Sequence, residues 1–307
     1  MQTQLRIGVD LGGTKTELIA LGAQGEVLHQ QRVPTPAHDY DAIVRCVVEL
    51  VDAAERQLRA RASIGIGTPG SLSPATQQLR NSNTLVLNGR PFQRDLEAAL
   101  RRETRLANDA NCFALSEAVD GAGRGARVLF GVILGTGTGG GVVIDRRVWS
   151  GRNGVAGEWG HNPLPWPSSD KLPGPACYCG KAGCIETFLS GPALARDYAL
   201  APGGADADAR EVAERAGRGE PQALAALERY TDRLTRALAG VVNVLDPDAI
   251  VLGGGVSGIA ALYPELGSRL GRYVFSDRVD TPVLPALHGA ASGVRGAAWL
   301  WPQNPAS

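Results

Sequence analysis

The sequence predicts an α/β protein built on two mixed sheets, and three observations predict it. The chain opens with an antiparallel meander, LRIGVDLGGTKTELIALGAQGEVL, in which apolar runs alternate with Gly-rich turns. Strand-like and helix-like segments then alternate, as they do in layered α/β proteins. Finally, VILGTGTGGGVVI (132–144) echoes VDLGGTKTELIAL (9–21). This internal repeat implies two similar halves, the second beginning near residue 120.

The elements follow in order. DAIVRCVVELVDAAERQLRA predicts a helix with Val44, Val47, Val48, Val51 and Leu58 on one face. SIGIGTPG is a short strand ending in a Gly/Pro loop, and RDLEAALRRE is a short helix. TRLANDANCFALSEAV reads as a strand, a polar break at Asn108-Asp109, and a helix. ARVLFGVILGTGTGGGVVIDRRVWSG restarts the strand–turn–strand pattern. Residues 160–187 are irregular and rich in Pro and Cys, and residues 201–209 form a surface loop. Pro221 opens a long helix that Asp246-Pro247 stops. DAIVLGGGVS is a strand meeting a Gly loop, and SGVRGAAWLW is a final helix. A cleft between the halves is the default place for a ligand.

The bulk properties set limits. The chain has 307 residues, room for about two domains. With 44% hydrophobic residues it has material for sizeable cores, which excludes disorder. Lys+Arg and Asp+Glu both number 31, a balance that does not suit nucleic acid or an anionic membrane as the main partner. MQTQLRIGVD lacks the basic-then-apolar pattern of a secretory leader. No apolar stretch approaches the ~20 residues of a membrane-spanning helix, so a soluble cytoplasmic protein is expected.

Three Gly-rich turns carry the first chemical signal. In Asp10-Leu11-Gly12-Gly13-Thr14-Lys15-Thr16 the glycines let backbone N–H groups approach a phosphate. Thr14 and Thr16 add hydroxyls, Lys15 adds charge, and Asp10 is placed to hold Mg²⁺ through water. Gly135-Thr136-Gly137-Thr138-Gly139-Gly140-Gly141 contains G-x-G-x-x-G, but the strand-like VVIDRRVW follows it rather than a helix. That excludes a dinucleotide fingerprint and leaves a phosphate-gripping hairpin. No G-x-x-x-x-G-K-[ST] occurs, which excludes a P-loop. Gly253-Gly254-Gly255, after a strand, would admit a flat base or ribose. At Asn108-Asp109 the residues leave two roles open: a general base for a hydroxyl, or a helix cap.

Five cysteines, three of them within residues 177–184, read as metal ligands rather than disulfides in a reducing compartment. Cys177, Cys179 and Cys184 with His161 make a tetrahedral Zn²⁺ set. His161 is chosen because His29, His38 and His288 lie far away in sequence. A closed four-ligand site is structural, and it would pin Glu158 and Glu186, which flank the ligands, where they accept hydrogen bonds from sugar hydroxyls.

DLGGTKT, GTPG, Asn108-Asp109, GTGTGGG, GEWGH, CYCGKAGCIE and LGGG, in this order, resemble the ROK family of sugar kinases and repressors. The likeness covers nearly the whole chain, and its most specific piece is C-x-C-G-x-x-G-C-x-E with G-E-x-G-H upstream. RLANDANCFALSEAVDG, AGEWGHNPLPW and SGVRGAAWLWP are similar to bacterial fructokinases, also described as mannokinases. The resemblance implies the actin-like ATPase (ribonuclease H-like) fold. Residues 1–119, completed by a helix at 291–302, would form one α/β domain. Residues 120–290 would form the other, with a zinc knuckle at 161–184.

It also implies ATP and Mg²⁺ in the interdomain cleft, held by Asp10, Gly12, Gly13, Thr14, Lys15, Thr16, Gly135, Thr136, Gly137, Thr138, Gly139, Gly254 and Gly255. Asp109 becomes the catalytic base. Asn108, Glu158, His161 and Glu186 become sugar contacts, with Gly70 lining the same pocket. His161, Cys177, Cys179 and Cys184 become the zinc ligands. Thr138 stands where many members carry an apolar residue. The implied reaction is transfer to the 6-hydroxyl of D-fructose, and of mannose, by a homodimer. N-acetylglucosamine, N-acetylmannosamine and glucose are the rival acceptors. A repressor would carry a helix-turn-helix ahead of DLGGTKT, which begins at residue 10, and is not expected.

Overall fold

A computed structural model describes residues 5–168 and 172–302. Three strands come first: β1 (Arg6–Leu11), β2 (Lys15–Leu21) and β3 (Val27–Pro34). Then come α1 (Tyr40–Leu58), β4 (Ser63–Thr68), a small hairpin of β5 (Ser71–Leu72) and β6 (Leu79–Arg80), and α2 (Phe92–Leu100). β7 (Thr104–Asn108), α3 (Asp109–Val119), β8 (Val128–Leu134), β9 (Thr138–Ile144) and β10 (Arg147–Val148) follow. The helices α4 (Glu186–Leu189), α5 (Gly191–Ala199), α6 (Ala209–Gly217) and α7 (Pro221–Leu245) come next. The described chain closes with β11 (Ala249–Gly253), α8 (Leu262–Arg269), β12 (Val283–Pro285) and α9 (Ser292–Trp299). No helix among the described residues is long and apolar enough to cross a membrane.

Two five-stranded mixed sheets result, in the orders β3-β2-β1-β4-β7 and β10-β9-β8-β11-β12. In the first, β1 pairs antiparallel with β2 and parallel with β4, and β4 pairs parallel with β7. In the second, β11 pairs parallel with β8 and β12, and β9 antiparallel with β10. The chain divides into two compact units, one of Met1–Gly125, Gly141–Ala156 and Leu287–Ser307, the other of Ala126–Gly140 and Gly157–Ala286.

In the first unit, α9 lies against β1, β4 and α3 because three glycines let it. A Cβ at Gly8 would sit 2.1 Å from the Val294 carbonyl oxygen, and one at Gly65 1.8 Å from that of Ala297. A Cβ at Gly296 would sit 1.6 Å from the Cys112 carbonyl oxygen. Real carbon atoms cannot approach so closely, so these backbones meet only without side chains. Trp301 donates its indole N–H to the Ile64 carbonyl at 2.7 Å, fixing the chain just beyond α9.

The α1 prediction needs a correction. Its buried stripe is Tyr40, Ile43, Val47, Leu50, Val51 and Ala54, the i, i+3, i+4, i+7 set of one helical face. Val44, Val48 and Leu58 flank it, only partly buried. The expected face lies about one position off the buried one, sharing Val47 and Val51 with it. The long helix α7 starts on Pro221 and ends where Asp246 takes φ 46°, as the Pro and Asp-Pro signals predict. Helices α5 and α6 fall in a region where sequence reading named no helix.

Candidate active site

In the first unit the chemistry gathers at the carboxyl ends of β1, β4 and β7. Asn108 is the last residue of β7 and caps α3, its Oδ1 accepting from the Ala110 N–H at 2.8 Å. Its Nδ2 donates to the Gly70 carbonyl at 3.1 Å, and its amide also serves the neighbouring Asp109 carboxyl. Gly70 has φ +82°, and a Cβ there would lie 2.4 Å from the Arg80 carbonyl oxygen; only glycine fits that loop. Gly70 therefore aims Asn108 through its backbone.

Asp109 is the first residue of α3 and is exposed. Its Oδ1 also accepts from the Ala110 N–H at 2.8 Å. The protein around it displaces enough water to push the carboxyl up, and hydrogen bonds from the backbone N–H groups of 110 and 109 and from Asn108 pull it back. The cap of α3 is thus Asn108 and not Asp109, whose side chain stays open to solvent. Asp10, at the end of β1, is pushed up to about 6, first by burial and then by the charges of Asp109 and Glu17, against Lys15.

The first Gly turn is held by the Gly12 N–H on the Lys15 carbonyl at 3.0 Å. Gly13, Thr14 and Lys15 are exposed. Thr16 is fully buried, with its hydroxyl 2.8 Å from that of Thr35, while Thr35 Oγ1 lies 2.8 Å from the Gly12 carbonyl oxygen. Thr16 therefore braces the turn from within β2, and Gly13, Thr14 and Lys15 are its open members.

In the second unit, the turn between β8 and β9 is fixed on several sides. The Gly135 N–H donates to the Gly137 carbonyl at 2.9 Å, and the Gly191 N–H to the Gly135 carbonyl at 2.7 Å. The Thr138 N–H donates to Glu186 Oε2 at 3.0 Å, and Trp159 Nε1 to the Gly139 carbonyl at 2.9 Å. A Cβ at Gly137 would stand 2.6 Å from Glu186 Oε2, so glycine there admits the carboxylate. Thr138 Oγ1 is buried and has no hydrogen-bond partner.

A cavity of about 1010 Å³ opens beside this turn. Gly135, Thr136 and Gly255 line it, together with Pro192 and Ala195 of α5 and Ala213 of α6. Gly137, Thr138 and Gly139 instead face Glu186 and Trp159. Gly254, with φ +85°, packs on β8, where a Cβ would lie 2.4 Å from the Leu134 carbonyl oxygen. Sequence reasoning missed the helical wall. Its signal was the run of small residues Ala209, Ala213, Ala216 and Gly217 on one face of α6, all lining the cavity.

The cysteine cluster assembles as expected, although residues 169–171 of the 161–184 segment lie outside the described residues. One ligand atom each from His161, Cys177, Cys179 and Cys184 falls within 4.8 Å of the others. Cys179 Sγ is 3.6 Å from Cys184 Sγ, and Cys177 Sγ is 3.6 Å from His161 Nδ1. Ligand atoms of a tetrahedral zinc site stand roughly 3.5–3.8 Å apart for metal–ligand lengths of about 2.0–2.3 Å, so the spacing fits. Burial and the neighbouring thiols push Cys184 up to about 12; a bound cation reverses that by favouring thiolate. The Ile185 N–H donates to the Asn162 carbonyl at 2.8 Å, and the Leu164 N–H to the Gly183 carbonyl at 2.9 Å, tying the GEWGH segment to the knuckle.

The two ring nitrogens of His161 are divided. Nδ1 faces the thiol cluster, and Nε2 lies 3.0 Å from the Tyr178 hydroxyl. With a metal on Nδ1, Nε2 carries the proton and donates to the Tyr178 hydroxyl, so a sugar contact from this ring has to displace that hydroxyl. Glu158 is exposed and opens the short turn Trp159–His161; Glu186 opens α4.

Comparison with known proteins adds to this geometry. The profile of the ROK family matches residues 6–304. A Photobacterium profundum protein named N-acetyl-D-glucosamine kinase is 40% identical over 297 residues, covering 95% of this chain and 98% of its own. An Escherichia coli protein of the same name is 39% identical over 300 residues, covering 95% and 98%. Among solved structures, a ROK hexokinase from Thermus thermophilus superposes with TM-score 0.85 at 34% identity, covering 97% of each chain. A ROK family glucokinase from Streptomyces griseus, in complex with glucose and AMPPNP, superposes with TM-score 0.76 at 29% identity, covering 98% and 100%. The fold is thus the actin-like ATPase fold.

The relatives named here are N-acetylglucosamine kinases, a hexokinase and a glucokinase, which favour the rival acceptors over fructose. Two of the three segments that suggested fructose report packing. SGVRGAAW is the buried helix α9, and DANCFALSEA is the largely buried α3. Such positions are constrained by the core whatever the acceptor.

Proposed function

Because the chain belongs to the ROK family, we propose that it is an ATP-dependent kinase that phosphorylates the 6-hydroxyl of N-acetyl-D-glucosamine. The observation that carries the acceptor is 40% identity over 95% of the chain with a protein of that activity by name. The geometry supports the reaction class. Phosphoryl transfer requires positioning and charge stabilisation more than covalent chemistry, and the chain supplies a carboxylate beside open backbone donors in one unit and a Gly turn beside a large cavity in the other.

The residues take these roles. Asp109, with a raised pKa and an open face, removes the proton from the attacking hydroxyl. Asn108, held by Gly70, turns its amide from Asp109 to the sugar when the sugar binds. Glu158 and Glu186 hold other sugar hydroxyls, and the Nε2–H of His161 joins them by exchanging the Tyr178 hydroxyl for one of the sugar. The backbone N–H groups of Gly13, Thr14 and Thr136, with Lys15, receive the phosphates of ATP. Asp10 is the carboxylate for Mg²⁺, which spreads the charge of the transferring group when bound. The cavity lined by Pro192, Ala195 and Ala213 takes the nucleoside, whose flat base suits a wall of small side chains. His161 Nδ1 and the three thiolates hold a structural zinc that keeps the His161 ring and Glu186 in place.

An ADP-release assay over N-acetylglucosamine, glucose, N-acetylmannosamine, fructose and mannose tests this reading. The highest kcat/KM is expected with N-acetylglucosamine. A higher value with any of the other four reassigns the acceptor, and no ADP release with any sugar rejects the kinase reading.

A further inference from the structure

Helix α5 has two working faces, and the proposed reaction uses one. Pro192 and Ala195 line the nucleoside cavity. Ala193, Arg196 and Asp197, with Leu200 just beyond, line a separate cavity of about 620 Å³. The other walls of that cavity come from residues 172–175, from Thr187 and Phe188 of α4, and from Arg229 and Arg233 of α7.

Three guanidiniums share this recess with one carboxylate. Asp197 pairs with Arg229 at 2.7 Å and with Arg233 at 2.8 Å. Arg196 donates to the Thr187 carbonyl. The Arg233 side chain is only 9% exposed, and its guanidinium lies 5.4 Å from the centre of the Phe188 ring. Arg196 is exposed, but Arg229 is half-buried and Arg233 nearly buried, and the single carboxylate of Asp197 leaves the three cations with surplus positive charge. A stabilising role for the fold needs only the Arg–Asp pair; the surplus charge points to a ligand.

We propose that this cavity binds a small organic anion, a carboxylate or phosphate monoester carried on a compact apolar body. Guanidinium forks match the oxygens of both anions. Positive charge in a recess with low-dielectric walls concentrates anions locally. Phe188, Leu172, Leu200 and Pro202 supply apolar wall for the body of the ligand, and the volume lies within the ~300–1,000 Å³ of small-molecule sites. The binding does not depend on the kinase reading, because no residue of this cavity is assigned to the reaction.

Isothermal titration of the full chain, saturated with ADP to fill the nucleoside cavity and held at constant ionic strength, tests the proposal. Phenyl phosphate and benzoate are the two probes, one for each anion class. At least one probe is expected to bind saturably at one site per chain, about tenfold or more weaker in Arg196→Ala and in Arg229→Ala. Arg196 is exposed and Arg229 half-buried, so both variants are expected to keep the wild-type unfolding midpoint, which is checked first. Absence of saturable binding of either probe up to ~10 mM, or binding that neither substitution weakens, overturns the proposal.

Discussion

Glu186 Oε2 accepts the backbone N–H of Thr138 at 3.0 Å, so the carboxylate that opens α4 holds the turn that opens β9. If Glu186 also serves the sugar, one side chain answers to two substrates. Glu186→Ala is expected to raise the KM for sugar and for ATP together. A hydrogen bond to a charged group is worth about 1.5–3 kcal/mol, or roughly ten- to a hundredfold in kcat/KM. Steady-state kinetics with each substrate varied in turn would decide it; a rise in the sugar KM alone means the turn does not depend on the carboxylate.

Asp109→Asn leaves the Asn108 cap in place, and its amide oxygen still accepts from Ala110, but it removes the base. Turnover is expected to fall by about 10²–10⁴ while calorimetry still shows sugar binding. Turnover near that of the wild type would remove Asp109 from the chemistry.

Asp10 makes stability pH-dependent in the metal-free, ligand-free protein. Its carboxyl is raised from 3.8 to about 6, so between those values the folded chain holds a proton that the unfolded chain has released. The resulting stabilisation is complete below 3.8 and is lost as pH rises through 6. Asp10→Asn lacks this slope, so its stability relative to wild type is expected to increase from pH 4 to pH 7, by no more than about 3 kcal/mol. Urea unfolding of both proteins in EDTA checks this; parallel pH profiles would show that Asp10 titrates as an ordinary carboxyl.

Purified protein is expected to carry one zinc per chain, and its removal by a chelator to lower the unfolding midpoint, because structural zinc contributes folding energy directly. Cys179→Ser is expected to copy the effect of the chelator. Elemental analysis finding no zinc in freshly purified protein would remove the assignment.

Gly296→Ala is expected to destabilise the fold by about 3 kcal/mol or more, because its Cβ would meet the Cys112 carbonyl oxygen at 1.6 Å. Gly217→Ala, where nothing lies within 4 Å of the added Cβ, serves as the control. Equal unfolding midpoints for the two variants would show that α9 and α3 can part without loss.

The meander, the restart of the pattern at β8, the capped start of α3 and the limits of α7 were all legible in the sequence. So was the cysteine cluster, because three thiols and a histidine at that spacing have few other uses. Helices α5 and α6 were hidden by a Pro- and Gly-rich approach, although Ser190 and Asp208 cap them in the usual way. The inward turn of Thr16 was also hidden, since nothing near residue 16 announces that Thr35 will lie beside it.

By itself the sequence determined the order of the strands and of most helices, the positions of the Gly turns and the Cys/His cluster, because each depends on residues close together in the chain. The tertiary structure alone decided that Gly8, Gly65 and Gly296 admit α9, that Glu186 holds Thr138, and that α5 lines two cavities. These are approaches between segments far apart in sequence, and no local pattern encodes a distance that only packing sets.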